Sequence, residues 1–238
     1  DDGAGDGLTA GGAVYLFSFA DVLFAGGALE GIIGSGYTGG KNVSLAPTLD
    51  DNDQFGSSVS LKDFGLAVGA PGDDGNGISF ADSGAAYLFT FADAFFLSGT
   101  LAGTLGAGYT GGNNFSVALE VGDLFASALS LDGTRLAVGA RGDDGSGNGL
   151  IESGAAYLFT FDDVNFTNAV QRGIVGASYS GAGDVDTVLT PFGFASGSFF
   201  GSSIALDGTN LAIGGPGIVS TIASPAGSGA VYLLTFTD

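Results

Sequence analysis

Cysteine and histidine are absent from the 238 residues, and lysine plus arginine number only five. Without cysteine there can be no disulfide framework and no thiolate metal site. Without either residue the usual general base, thiolate nucleophile and imidazole ligand are missing. A paired-carboxylate glycosidase stays formally open because acids are plentiful, but no pair stands out, and the chain reads as a non-enzyme. The five cations (Lys41, Lys62, Arg135, Arg141 and Arg172) face 25 acids, for a formal net charge of −20. Nucleic-acid binding needs a basic stripe to displace counterions, so it is excluded. No apolar run reaches the roughly eighteen residues of a helical membrane span, and no signal-peptide pattern is visible. The opening DDGAGDG reads as the middle of a repeat, so the chain is either a mature product or a piece of something longer.

Hydrophobic residues make up 45% of the chain and charged residues 13%, which favours a packed core over disorder. The 46 glycines lack the three-residue period of collagen and cluster where strands should end. The acidic surplus suits solubility in salt, or cation binding by surplus carboxylates.

Internal repetition dominates the pattern. Ala13–Phe19 (AVYLFSF) alternates Tyr15, Phe17 and Phe19 with Val14, Leu16 and Ser18, a strand signal whose two apolar faces predict cover on both sides. The same element recurs at Ala85–Phe91, Ala155–Phe161 and Ala230–Phe236. Its tyrosines, Tyr15, Tyr87, Tyr157 and Tyr232, are 72, 70 and 75 residues apart. Phe55, Phe125 and Phe200 open a second element, spaced by 70 and 75, which runs through a tight turn into L-A-V-G-A-like strands. A weaker strand, Leu29–Ile33, precedes a Gly-Tyr element (Gly34–Gly40) that returns at Gly106–Gly112 and Gly176–Gly181. Each period thus holds about four short strands, and helix signals are nearly absent; only Ala92–Phe96 and Asp162–Phe166 have room for a single turn. This predicts an all-β repeat architecture of four-stranded antiparallel β-propeller-type blades, about three repeats of 70–75 residues. The boundaries are 1–54 (strands three and four plus a connector), 55–124, 125–199 and 200–238 (strands one to three), one continuous domain. Such a set does not close a ring on its own, so the expectation is an incomplete propeller completed either by further repeats or by neighbouring chains.

Phe55-Gly56 with Gly69-Ala70-Pro71, the drifted copy Phe125-Ala126 with Gly139-Ala140-Arg141, and Phe200-Gly201 with Gly214-Gly215-Pro216 resemble the FG-GAP repeat known from the propeller of integrin α chains. The resemblance is nearest to a bacterial subtype with V-G-A-x-G-D-D-G followed by S-G-A-x-Y-x-F. It implies extracellular or cell-surface placement and adhesive or structural roles. The family's calcium loop of D-x-D-x-D type does not carry over. The corresponding connections, Lys62–Gly65, Asp132–Arg135 and Asp207–Asn210, are tight hairpins with one acid each.

The acidic loops after the second strand are the candidate site. Asp73, Asp74 and Asn76, and Asp143, Asp144 and Asn148, cluster oxygen ligands among glycines, a pattern that suits Ca²⁺, with Asp82 or Glu152 as a further ligand. The plainer reading is a solvated Asx-Gly turn. The third copy, Gly217–Gly229, holds no acid. Arg141-Gly142-Asp143 spells the integrin-binding tripeptide, although Arg141 merely replaces the proline of the repeat. Asn42, Asn114 and Asn165 fit the N-glycosylation acceptor pattern. The tyrosines of the Gly-Tyr element (Tyr37, Tyr109 and Tyr179) suit either a sugar platform or packing over a blade end with the hydroxyl on loop backbone. The sequence therefore predicts a non-enzymatic extracellular structural or adhesive protein, a surface adhesin, matrix or filament subunit. It would self-associate as a homo-oligomer or head-to-tail filament. The alternative is a calcium-dependent, lectin-like propeller that binds surface glycans.

Overall fold

The computed structural model describes residues 1–4, 7–45, 48–77, 79–187, 194–218 and 228–237. Sixteen strands form four sheets, with no helix among the described residues. The first sheet holds β1 (Ala13–Ser18), β2 (Ala28–Gly34) and β3 (Val43–Ser44). The second holds β4 (Ser58–Lys62), β5 (Gly65–Ala70), β6 (Ala85–Thr90), β7 (Thr100–Gly106) and β8 (Phe115–Ser116). The third repeats this with β9 (Phe125–Asp132), β10 (Arg135–Ala140), β11 (Ala155–Thr160), β12 (Val170–Gly176) and β13 (Val185–Asp186). The fourth holds β14 (Ser203–Asp207), β15 (Asn210–Gly215) and β16 (Ala230–Thr235).

Each complete sheet is a four-strand antiparallel meander, as the sequence predicts, because turns of two residues join its first two strands. A fifth, two-residue strand is added in parallel from the polar connector (Leu105 pairs Phe115, Val175 pairs Val185). The pattern gives no signal for it, since two residues carry no period. A bulge falls at the same point of all three repeats that have a fourth strand, at Leu16/Phe17, Leu88/Phe89 and Leu158/Phe159.

The sheets stack in chain order, with β9 lying against β4 and β5, and β14 against β9 and β10. Alternation decides what lies between them. In the second sheet the aromatic face (Tyr87, Phe89, Phe91) joins Val14, Leu16 and Ile33 of the first sheet in one core cluster. Its other face (Ala86, Leu88) joins Phe125, Tyr157, Phe159 and Phe161 of the third in another. The third sheet's Ala156 and Val175 meet Phe200, Leu211 and Ile213 of the fourth. The aromatic face of each sheet therefore points back and the aliphatic face forward. Phe125 lies edge-on to Tyr157 and Phe159, as Phe55 does to Tyr87 and Phe89.

Serine and glycine set the spacing. The Ser60 hydroxyl accepts the Leu131 amide at 2.9 Å, and Ser130 accepts that of Leu206 at 2.8 Å, each bond crossing from sheet to sheet. A Cβ on Gly139 would fall 1.9 Å from the Gly201 carbonyl, and one on Gly69 2.1 Å from that of Ala126. The glycine of the V-G-A run is thus required by the backbone of the next sheet. The hairpin end carries a small charge cluster. Asp132 meets Lys62 of the second sheet at 3.6 Å and Arg135 at 2.6 Å, and accepts the Gly208 amide of the fourth at 3.0 Å.

The segments expected to hold one turn are Asx turns. Asp93 Oδ1 accepts the amides of Phe95 and Leu97, and Asp163 and Asp21 do the same in their repeats. Each ends on a phenylalanine in the left-handed region (Phe24, Phe96 and Phe166, φ 61°, 59° and 61°). Phe96 and Phe166 are buried, Phe166 beside Gly65 and Phe91 of the preceding sheet and Leu131 of its own.

One expectation fails. The strand at Ala13 is covered on one side only. Tyr15, Phe17 and Phe19 lie open while Val14 and Leu16 are buried.

Core and surface positions of the same motif should therefore respond differently to truncation. Phe159→Ala is expected to cost about 3–5 kcal/mol in urea unfolding, and Phe17→Ala less than about 1 kcal/mol.

Candidate functional site

The acidic loops sit at the same strand ends of the second and third blades, between β5 and β6 and between β10 and β11, as a consequence of the strand order. Asp73 follows β5 and is buried; its carboxylate is held from three directions. The Tyr87 hydroxyl donates to Oδ2 at 2.6 Å, Tyr109 donates at 2.9 Å, and the Gly75 amide donates to Oδ1 at 2.8 Å. Asp143 repeats this with Tyr157 at 2.8 Å, Tyr179 at 2.9 Å and the Gly145 amide at 2.8 Å. Asp1 forms a third, exposed copy with Tyr15 at 2.6 Å and Tyr37 at 3.0 Å. In all three, the tyrosines follow the aspartate by 14 and 36 residues.

A second carboxylate stands behind each buried one. Asp53 accepts the Asp50 amide at 2.7 Å and Asp123 accepts that of Glu120 at 2.8 Å. Both are buried. Burial is the main cause that pushes each up to about 7, and the neighbouring charges of Asp73, or of Asp143, add to it. Burial also raises Asp73 and Asp143, against the tyrosine hydroxyls that stabilise their charged form. The tyrosines are raised in turn, first by burial and then by the carboxylate, and so remain donors. In the third repeat Glu120, Asp123, Asp143, Asp144, Asn148, Tyr157 and Tyr179 line a pocket of about 190 Å³.

The other predicted ligands serve the loop itself. Asp74 accepts the Asp82 amide at 2.9 Å and Asp144 that of Glu152 at 2.7 Å. The Asn76 amide donates to the Gly108 carbonyl at 3.3 Å, and Asn148 bonds Glu120. Among the described residues, no three acidic groups are placed to hold a metal ion together. The oxygens of Asp73 and Asp143 accept from tyrosine and backbone. The fourth sheet replaces the acid pair with apolar and neutral groups. Ser198 Oγ takes the Ala195 amide at 3.0 Å in the place of Asp123, and buried Ile218 stands where Asp73 and Asp143 stand. Most of the expected acid-free loop 217–229 lies outside the described residues.

Three sequence matches resolve into structure. The aspartate of Arg141-Gly142-Asp143 is buried on its tyrosines, so the tripeptide is not presented. Asn42 and Asn114 clamp backbone, each Oδ1 accepting an amide at 2.9 Å (Ile32 and Thr104) and each Nδ2 donating to a carbonyl. Asn165 is exposed in its turn. Tyr109 and Tyr179 are half-buried, with hydroxyls on carboxylate rather than on loop backbone.

Sequence reasoning missed Asp53 and Asp123. Their one signal is position, an acid two residues before Phe55 and Phe125. The 14-and-36 spacing of aspartate and tyrosines was equally available.

A carboxyl group with a raised folded pKa holds its proton better in the folded state than in the unfolded one. Stability is then full below about pH 4 and declines as pH rises to about 7, with no further loss from these groups above that. The melting temperature is expected to fall across this window. The double variant Asp53→Asn, Asp123→Asn should flatten the fall and melt higher than the parent at pH 8, measured by calorimetry.

Residues 45–89 and 119–159 match the family model of the FG-GAP repeat. Each match spans three strands and contains one complete pair of buried carboxylates with its first tyrosine. No curated protein matches the chain.

Proposed function

From the premise that this chain is an FG-GAP repeat protein, built of propeller-like blades that do not close into a ring, we propose a non-enzymatic structural or adhesive role outside the cell or on its surface. FG-GAP repeats are found in extracellular, adhesion-type proteins. The observation that carries the reading is the engagement of the acidic and aromatic side chains with one another. Asp73 and Asp143 each accept three kinds of donor, and their tyrosines are locked on them. Such a network holds loops in place and leaves no poised nucleophile or base. The chain has no histidine or cysteine to supply one. No helix among the described residues is long and apolar enough to cross a membrane.

The role fits a surface adhesin, a matrix component or a filament subunit. Apolar blade faces and free strand edges supply the means of assembly: β1 pairs only with β2, and β16 only with β15, among the described residues.

A calcium-dependent lectin makes the opposite demand on the same loops, and one set of measurements separates the two. The purified chain is expected to pass polysaccharide columns unretained with calcium or with chelator. Its melting point should not move with calcium, and it should release no sugar from glycan substrates. Calcium-dependent retention would install the glycan-binding reading instead, and sustained hydrolysis would make the protein an enzyme.

A further inference from the structure

We propose that Asn148 and Gly149 form a self-modifying site, at which the loop between β10 and β11 converts its own asparagine to aspartate or isoaspartate and so loses its tie to Glu120. The site stands apart from the structural reading above and lies within a complete blade.

The glycines of the loop point to it. Gly145 and Gly147 have φ of 76° and 84°, a backbone that side chains rarely adopt. A Cβ on Gly142 would fall 2.1 Å from the Gly122 carbonyl oxygen. Gly149 has neither reason to be glycine: its φ is not positive, and a Cβ there would meet no atom within 4 Å. What it does supply is chemical, an unhindered main-chain nitrogen next to a carboxamide. The amides on either side are bonded, Asn148 donating to the Gly145 carbonyl and Leu150 to that of Asp144, each at 3.0 Å. The Gly149 amide between them has no hydrogen-bond partner among the described residues. Both residues are exposed, and Asn148 is held in the left-handed region at φ 56°.

The reaction needs only water. The Gly149 nitrogen attacks Asn148 Cγ, and a new C–N bond forms as the bond from Cγ to Nδ2 breaks. The displaced nitrogen takes the amide proton and leaves as ammonia, and a succinimide ring remains. Water adds to either ring carbonyl and opens it to aspartate or isoaspartate, with nothing oxidised or reduced.

The consequence follows from what Asn148 touches. Its Nδ2 donates to Glu120 Oε2, which ties this loop to the connector before β9. Conversion removes the donor and sets a carboxylate against a carboxylate, in a pocket already lined by Asp123, Asp143 and Asp144. Isoaspartate also lengthens the main chain by a methylene. Other asparagines are placed differently. Asn42 and Asn114 precede Val43 and Phe115, and their carboxamides clamp backbone at both ends. In the chain's other Asn-Gly pair, Gly77 is explained by its φ of 95°, and Asn76 donates to the Gly108 carbonyl rather than to a carboxylate.

The test incubates the folded chain in neutral buffer made with oxygen-18 water, and peptide mass spectrometry locates the label. Label is expected at position 148 at least ~10-fold faster than at Asn42 or Asn114. Gly149→Ala should melt as the parent does and convert at least ~10-fold more slowly, a barrier higher by about 1.4 kcal/mol. Asn148→Asp should melt below the parent. Glu120→Gln keeps an acceptor without the charge and should remove most of that difference, a coupling read from the double-mutant cycle.

A folded chain that stays unlabelled at Asn148 while a peptide of residues 145–151 takes up label overturns the site, because the fold then protects it. Label no faster there than at Asn42 and Asn114 overturns it too, and this comparison needs no variant. So does a folded Gly149→Ala that converts at the parent's rate. An Asn148→Asp that melts as the parent does, or loses as much in the Glu120→Gln background, overturns the loss of the tie. None of these results bears on the structural reading.

Discussion

A strand that is aromatic on one side and aliphatic on the other must be covered twice, and most of the architecture follows from that demand. In β6 and β11 both faces find partners because a sheet lies on each side, and the tyrosine and phenylalanines nest on Val14 and Leu16, or on Ala86 and Leu88, of the blade before. Two small devices make the approach close enough. The glycine of the V-G-A run admits the next blade's backbone, and serines on the inner strands catch its amides. Burial of a single ring in such a junction contributes about 2–3 kcal/mol, so a few rings hold each pair of blades together without help from disulfides.

The same packing explains the unusual acids. Carboxylates are drawn into the first two junctions with no lysine or arginine beside them, and tyrosine hydroxyls supply the compensation. This is a costly way to fix a loop unless the proton stays, and burial raises Asp53 and Asp123 so that it stays over the acidic half of the pH range. The cations are employed elsewhere. Lys62 and Arg135 share Asp132 at the hairpin end, and Lys41 pairs with Glu30.

The blades were legible in the sequence because the tyrosine and phenylalanine spacings repeat, and strand alternation is a local signal. What escaped was what depends on neighbours. Alternation in Ala13–Phe19 says that two faces are apolar but not whether a sheet lies beyond each, so Tyr15 and Phe17 were expected under cover. Asp73 and Asn76 look like ligands in a glycine-rich loop, since composition cannot reveal that a tyrosine 14 residues on has taken the oxygen. Asp53 gave no cue beyond its place two residues before Phe55; its importance comes from burial, which is a property of the stack rather than of the loop.

The replacement of the acid pair by Ser198 and Ile218 makes the stack directional. Two junctions contain a proton-binding pair and the third does not. On acidification the first three blades tighten against one another while the fourth gains nothing. On alkalinisation the penalty falls on the first two junctions and spares the third. Since each blade leans only on its neighbours, local opening is set junction by junction. The order in which the blades loosen thus follows pH, from the tail in acid and from the head in base.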